Sequence, residues 1–457
     1  MNTLAATASR TQSRVRALCH AFFAEKGDAA AARRGAAFAF AIRIASAAIA
    51  YFSQILLARW MGGNEYGVFA YVWVWLVVLG TLTSLGLNSS SLRFIPQYVE
   101  QKNAALERGF VFGSRLFALG LSTAVAAIGA LALYWGQEIF DPEYVVPLYM
   151  ALVCLPMFTL MDTQEGTARA YSWIDLALLP PYIARPILLL MFLAAAVWLG
   201  LEPSAETAVL AAIAATWVAA VGQTLALERR LKRTVTPGAR QYAYGEWIKV
   251  SMPIFFVVAF FMLLSNTDVL VMKFFRPSID VAMYFAAMKT TSLISFIYFA
   301  ITAAYAHRFA KYDASGDMEG LAEVLREAVI WTFWPSLVAG VGILAVGWPL
   351  LWLFGEEFTA AYPVMFVLVI GLVARAAVGP IDYMLAMLGQ QNACAGVLAF
   401  TVAVNLALNF MFIPAFGLMG AAVATTISTM LATYLLYRLA KRRLGLNSIF
   451  WKRRNPA

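Results

Sequence analysis

Histidine and cysteine are scarce in this sequence. Two histidines (His20, His307) and three scattered cysteines (Cys19, Cys154, Cys394) among 457 residues argue against a disulfide framework or a thiolate metal site. They argue equally against a histidine-based zinc site. Charge is scarce too, at 13% of residues, well below the ~25% of soluble domains. No GxxxxGK[ST], no GxGxxG after a strand and no HExxH occurs. No aspartate pair opens a sizeable outer loop, as a membrane glycosyltransferase would need. These absences point away from an enzyme, and no catalytic residue, metal or cofactor is expected. The first 34 residues are basic and polar, without an apolar h-region and cleavage site, so no signal peptide is expected. Residues 11–26, TQSRVRALCHAFFAEK, read either as an amphipathic helix on the inner membrane surface or as a disordered tail.

What is abundant is apolar surface. The chain is 62% hydrophobic with a mean hydropathy of +0.74, as expected of an all-α polytopic membrane protein. A span needs ~20 mostly apolar residues, and twelve candidates follow one another. Spans 1–6 lie near 36–58, 66–88, 113–135, 146–161, 176–199 and 206–227. Spans 7–12 lie near 250–272, 282–304, 328–348, 362–383, 392–413 and 418–437. With the N-terminus inside, 26 of the 34 lysines and arginines fall on the inner side, and the outer loops hold only Arg59, Lys273 and Arg276. This bias predicts cytoplasmic N- and C-termini. The net charge of +9 then reflects topology and anionic inner-leaflet lipid, with no nucleic-acid partner. The outer loops are short; even the one around LFGEEFTAAYP leaves no room for an extracytoplasmic domain.

The most polar interior stretch, RRLKRTVTPGARQYAYGE (229–246), divides the spans into two sets of six. The expected organisation is a basic cytoplasmic N-tail (1–34), an N-lobe (35–228), a cytoplasmic linker (229–247), a C-lobe (248–438) and a basic cytoplasmic C-tail (439–457). A faint repeat joins the halves: LLARWMGGNEYGVFAY (56–71) reads against LVMKFFRPSIDVAMYF (270–285), with one extra residue in the second copy. Phe69 precedes Arg93 by 24 residues, as Tyr284 precedes Arg308. Both copies start on the cytoplasmic side, so the halves are parallel and related by an axis along the membrane normal.

Ionisable groups within spans are the functional candidates. Arg43 interrupts FAFAIRIASAAIAYF about seven residues into span 1, ~10 Å deep. Helical steps from it meet Ser46, Ala47, Ala50 and Gln54, a small and polar stripe that faces helices or water; its long stem would alternatively let it snorkel to the inner interface. Arg185 sits in LLPPYIARPILLL, where Pro180, Pro181 and Pro186 break the helical ladder. Such breaks survive where neighbours or a cavity satisfy the freed carbonyls, unless Arg185 satisfies them itself. Arg375 lies near the middle of span 10. Asp382, seven residues on, shares its face but sits ~10 Å along the axis, which would stretch a direct pair. Asp268 and Lys289 fall in the outer third of adjacent spans 7 and 8 and read as an ion pair. Otherwise Asp268 is a proton or cation site and Lys289 a substrate contact. Asn405 and Asn409 read as interhelical hydrogen-bond glue. Asp162 and Glu165 lie at the inner end of span 4, within reach of water. Arg43, Arg185, Lys289 and Arg375 together make a cationic interior, suited to an anionic cargo with phosphate oxygens.

Four stretches, LARWMGGNEYGVFAY (57–71), LSNTDVLVMKFF (264–275), LLWLFGEEFTAAYPV (350–364) and LNFMFIPAFGLMGAAVATTIS (408–428), resemble the multidrug/oligosaccharidyl-lipid/polysaccharide (MOP) exporter superfamily. Within it the similarity is to Wzx-type polysaccharide-repeat flippases, and it runs from about residue 35 to 440. The resemblance implies a V-shaped bundle of two six-helix lobes working by alternating access. It implies a cargo of undecaprenyl-diphosphate-linked oligosaccharide, moved from the inner to the outer leaflet of the bacterial cytoplasmic (inner) membrane for surface polysaccharide assembly. Arg43, Arg185, Lys289 and Arg375 would then contact the substrate, with Asp268 and Asp382 as ion-coupling groups or a structural pair. Membrane lipids, and polysaccharide polymerase and chain-length machinery, are the accompanying partners. Lipid II flippases of the superfamily carry several deep arginines in the first helix; here only Arg43 is deep. The competing readings are a lipid II flippase, a MATE-like antiporter of cationic drugs, and a non-transporting scaffold for polysaccharide enzymes.

Overall fold

A computed structural model describes residues 28–136 and 141–445; the segment 11–26 considered above lies outside them. Every regular element is helical. In the first half these are α1 (Asp28–Met61), α2 (Gly63–Thr83), α3 (Leu87–Glu100), α4 (Ala104–Gly136), α5 (Pro142–Ala170), α6 (Ile174–Leu179), a π-helical turn (Pro180–Ala184), α7 (Arg185–Trp198) and α8 (Ala205–Thr234). The second half contains α9 (Tyr244–Leu264), α10 (Thr267–Met272), α11 (Ser278–Thr291), a 3-10 turn (Ser292–Ile294), α12 (Ser295–Ser315), α13 (Met318–Ala345), α14 (Gly347–Trp352), a 3-10 turn (Glu357–Ala361), α15 (Tyr362–Ala376), α16 (Ile381–Met387) and α17 (Gln391–Leu444). Of the polar stretch 229–246, only 235–243 is non-helical.

Among the described residues eleven helical segments are long and apolar enough to cross a membrane. The last of them, α17, is a hairpin. Gly417 has φ 57° and ψ −131°, a backbone state closed to residues with a side chain. The reversal brings Asn405 Nδ2 to 3.3 Å from Ser428 Oγ, a distance a straight helix could never span. Each arm exceeds the ~20 residues of a span, so the described residues supply twelve spans, as the apolar runs predict. Large apolar side chains such as Phe52, Ile128, Val338, Met411 and Phe416 stay on the outside of the bundle, where lipid replaces water. Trp135 and Trp198 are the most exposed, at 78% and 86%, and both sit at helix ends, as interfacial anchors do.

Within the halves the heaviest packing is of α5 against α4 and α8, and of α17 against α15 and α9. The halves meet chiefly through α2 and α11, the helices related by the sequence repeat. Gly63 and Gly67, spaced as in a small-xxx-small contact, form the seat. A Cβ on Gly67 would overlap the Ser278 carbonyl, and one on Gly63 would meet Ile279. Around this seat, Tyr51 bonds Thr290 across 3.0 Å and Lys273 pairs with Asp141. Arg59 donates to the α14 carbonyls of Trp352 and of Leu353, just beyond it, at 2.6 and 2.7 Å. At the opposite end Trp247 Nε1 donates to Tyr98 at 2.8 Å and Ser251 to Ser90 at 2.8 Å.

Gly67→Ala is therefore expected to push α2 off α11 and to cost about 1–3 kcal/mol, the usual penalty of overpacking. Thermal unfolding of the detergent-purified protein measures it, with Gly342→Ala as control because nothing lies within 4 Å of a Cβ there. Equal melting temperatures for the two variants would refute the close seat.

Candidate functional site

The six charged candidates occupy two separate places. The first is at the junction of α1, α3, α5 and the π-turn. Here Arg43 lies 5.7 Å over the Tyr182 ring, and Tyr182 OH donates to Glu165 Oε2 at 3.1 Å. Glu165 also faces Arg169 at 3.7 Å. Arg169 donates to Asn88 Oδ1 at 3.0 Å, and Asn88 Nδ2 to Asp162 at 2.7 Å. Contrary to the expectation that water reaches both carboxylates, Glu165 is buried, at 5% exposure, because α3 and the π-turn close over it. This network balances its own charge.

Arg185 follows the π-turn. Its guanidinium lies 5.2 Å from the centre of the Trp73 ring and 5.0 Å from that of Phe158, so it does not repair the proline break. Gln223 repairs it instead. In a regular helix the Leu176 carbonyl would accept from residue 180, but Pro180 has no N–H; Gln223 Nε2 of α8 supplies the missing hydrogen bond at 2.9 Å.

The second place is a cavity of about 390 Å³ between α9, α11, α12, α15, α16 and the second arm of α17. That volume lies within the ~300–1,000 Å³ of small-molecule sites. Lys289, Arg375, Asp268 and Asp382 line it, with threonines 425, 426, 429 and 433 along one wall; Arg43 and Arg185 do not. The expected Asp268–Lys289 ion pair is absent. Asp268, 1% exposed, accepts from Tyr284 OH, from Thr425 Oγ1 at 3.1 Å and from Val269 N at 2.8 Å. Three donors on three elements consume it, so it ties α10 to α11 and α17. Lys289 has its ammonium 4.8 Å over the Phe285 ring and no acidic partner among the described residues. A cation–π contact contributes ~0.5–2 kcal/mol, less than the several kcal/mol of desolvating an ion.

Arg375 and Asp382 do pair, at 3.1 Å, although a continuous helix would hold them too far apart. Pro380 cannot continue the ladder, α15 ends at Ala376 and α16 starts afresh at Ile381. The turn between them folds Asp382 back onto Arg375. The guanidinium is also 4.3 Å from the Phe261 ring and 4.6 Å from that of Tyr298, and Tyr298 OH donates to the other Asp382 oxygen. Asn405 acts as expected, donating across the hairpin to Ser428, whereas Asn409 donates to Asn405 on its own arm and not to another helix.

Sequence reading missed Tyr298, Gln223 and the Arg115–Glu228 pair (2.5 Å), in which Arg115 is buried and Glu228 is partly exposed. Gln223 had a signal, since Pro180 leaves a carbonyl that must find another donor. Arg115 had none, because nothing local shows that span 6 turns Glu228 towards it.

This arrangement has relatives. The chain matches the polysaccharide biosynthesis protein family over residues 32–312 and the MatE family over 253–411. It belongs to the polysaccharide biosynthesis protein family. A probable low-salt glycan biosynthesis flippase of Haloferax volcanii is 24% identical over 192 residues, a match that spans 41% of this chain and 41% of the relative. An inward-facing MATE-family multidrug resistance transporter of the MOP superfamily has the same fold (TM-score 0.68, 15% identity, 86% of this chain and 94% of that one). So does the lipid II flippase MurJ in an inward closed conformation (TM-score 0.62, 14% identity, 88% and 87%). The protein is thus a multi-pass membrane protein of the family named for polysaccharide biosynthesis.

Replacing Gln223 by leucine would leave the Leu176 carbonyl unpaired at the π-turn. The expected cost is about 1–3 kcal/mol, read as a lower melting temperature. A Q223L protein as stable as wild type would mean that the carbonyl finds another donor.

Proposed function

We propose that the protein is a flippase for an undecaprenyl-diphosphate-linked oligosaccharide repeat unit. It moves the unit from the inner to the outer leaflet of the bacterial cytoplasmic membrane by alternating access of a six-span N-lobe and a six-span C-lobe, in surface polysaccharide biosynthesis. The observation that carries this reading is the C-half cavity: Lys289 enters it without an acid, beside Arg375, in a chain whose family is named for polysaccharide biosynthesis. A cationic drug would want an available carboxylate there. Asp268 is consumed by its donors, and Asp382 is held by Arg375 and Tyr298. The charge bias, with 26 of 34 basic residues on the inner side, supports cytoplasmic termini and entry of the cargo from within.

The energetics agree with an anionic head group. A diphosphate crossing bare hydrocarbon meets a prohibitive desolvation cost, which a wet cationic cleft lowers. Outward movement of negative charge gains ~2.3 kcal/mol per charge per 100 mV of inside-negative potential. The saccharide and diphosphate would occupy the cavity while the lipid tail stays in the bilayer. Arg43 and Arg185, outside the cavity, are assigned to the path of approach.

Thermal stabilisation of the purified protein by undecaprenyl diphosphate is the direct test. A shift absent with undecaprenol and with a cationic dye is expected, weakened strongly by Lys289→Ala and Arg375→Ala and only mildly by Arg43→Ala. Shifts equal in wild type and the cavity variants would remove Lys289 and Arg375 from the site. In proteoliposomes, collapsing an inside-negative potential should slow flipping; an unchanged rate without any ion gradient would contradict charge-driven transport.

A further inference from the structure

We propose that Asp382 is a surrogate anion. It occupies Arg375 while the cavity is empty, yields it to the diphosphate on binding, and takes up a proton as it leaves. This rests on the function proposed above and concerns the same cavity.

The geometry around the pair suits an exchange. Arg375 and Asp382 touch through one contact of 3.1 Å, not the two parallel bonds of a fork-on-fork pair. Both stay reachable, with side chains 26% and 22% exposed, unlike Asp268 at 1%. Each partner has somewhere to remain. The rings of Phe261 and Tyr298 hold the guanidinium, and Tyr298 OH still donates to Asp382 when Arg375 is withdrawn. Asp382 lies on α16, a seven-residue helix with non-helical segments on both sides, so a small shift separates the pair without breaking a span.

Charge supplies the reason for the proton. The groups facing Asp382 are Arg375 on α15, Tyr298 on α12 and Cys394 on α17, with Lys289 and Asp268 across the cavity. Two cations and two carboxylates cancel in the empty site. A diphosphate brings at least two negative charges, which Lys289 alone cannot balance. Once Arg375 turns to phosphate, an ionised Asp382 would stand unpaired beside a second anion, an arrangement that strongly favours its neutral form. The carboxylate therefore takes one proton from the water of the cavity, and returns it when the diphosphate departs and Arg375 comes back. Cargo entry and proton uptake are thereby tied together at one residue.

The test is calorimetric binding of farnesyl diphosphate to the full chain at neutral pH, in two buffers of different ionisation enthalpy, with farnesol and inorganic diphosphate as companion probes. Wild type should bind farnesyl diphosphate with net proton uptake. Asp382→Asn keeps the side chain's shape but frees Arg375, so it should bind about tenfold more tightly, ~1.4 kcal/mol, without the buffer-dependent uptake. Weaker binding by D382N, or uptake undiminished, would overturn the surrogate role. Should D382N not fold, Tyr298→Phe serves. Asp382 then has no second donor, exchange becomes harder, and binding should weaken several-fold; unchanged affinity overturns the proposal. The same signature with inorganic diphosphate alone would support the exchange while overturning the lipid-linked reading. Farnesyl diphosphate binding undetectable in both wild type and D382N would sink the proposed function, and the exchange with it. A wild-type complex that forms without proton uptake sinks the exchange alone.

Discussion

In hydrocarbon no water waits to satisfy a backbone amide, so every N–H and C=O must find its partner within the protein. That constraint explains why every regular element among the described residues is helical, and it makes helix breaks informative. Four breaks, at 265–266, in the π-turn at 180–184, in the 3-10 turn at 292–294 and at 377–380, have a charged candidate within three residues: Asp268, Arg185, Lys289, and Arg375 with Asp382; the break at 84–86 has none. A broken helix exposes carbonyls and amides to a cavity, and the polar surroundings there lower the cost of a charged side chain. Discontinuous helices mark binding sites in transporters for this reason. Where a break needs no cavity, a side chain closes it, as Gln223 does for the carbonyl opposite Pro180.

The two halves use this constraint differently. In the first, Arg43, Arg169, Glu165 and Asp162 form one chain of contacts through Tyr182 and Asn88. Acid and base alternate there, and little charge is left over. In the second, hydroxyl donors satisfy Asp268 so completely that it cannot serve Lys289. The apparent balance of the cavity is therefore uneven where a ligand reaches it. Two cations line it, and of its two carboxylates only Asp382 is partly exposed.

The spans were legible because a 20-residue apolar run has few other uses. The repeat was legible enough to point at α2 and α11, and these are the helices that join the halves. Lateral pairing was not. Matching Asp268 with Lys289 by depth ignores the rotation of each helix about its axis, and a few residues of phase send one to Tyr284 and the other to Phe285. The Arg375–Asp382 pair was misjudged for a different reason. Its seven-residue spacing was read along one helix, although GlyPro at 379–380 ends that helix within the interval. The signal stood in the sequence; the continuous-helix assumption overrode it. The gathering of Arg43, Arg185, Lys289 and Arg375 into one cationic interior failed similarly, since composition counts charges without locating them.

The strength of the Arg375–Asp382 contact bears on how such a site can cycle. A bare guanidinium at this depth would carry a large desolvation cost in the empty protein. A sealed, bidentate pair would remove that cost but leave nothing for a ligand, since breaking it would expose two buried ions. A single, partly exposed contact, with aromatic rings behind the cation and a tyrosine hydroxyl on the acid, falls between these limits. It neutralises the site at rest and leaves the guanidinium within reach of a stronger anion. Lys289, with the Phe285 ring beneath it, has no such acidic rest partner among the described residues.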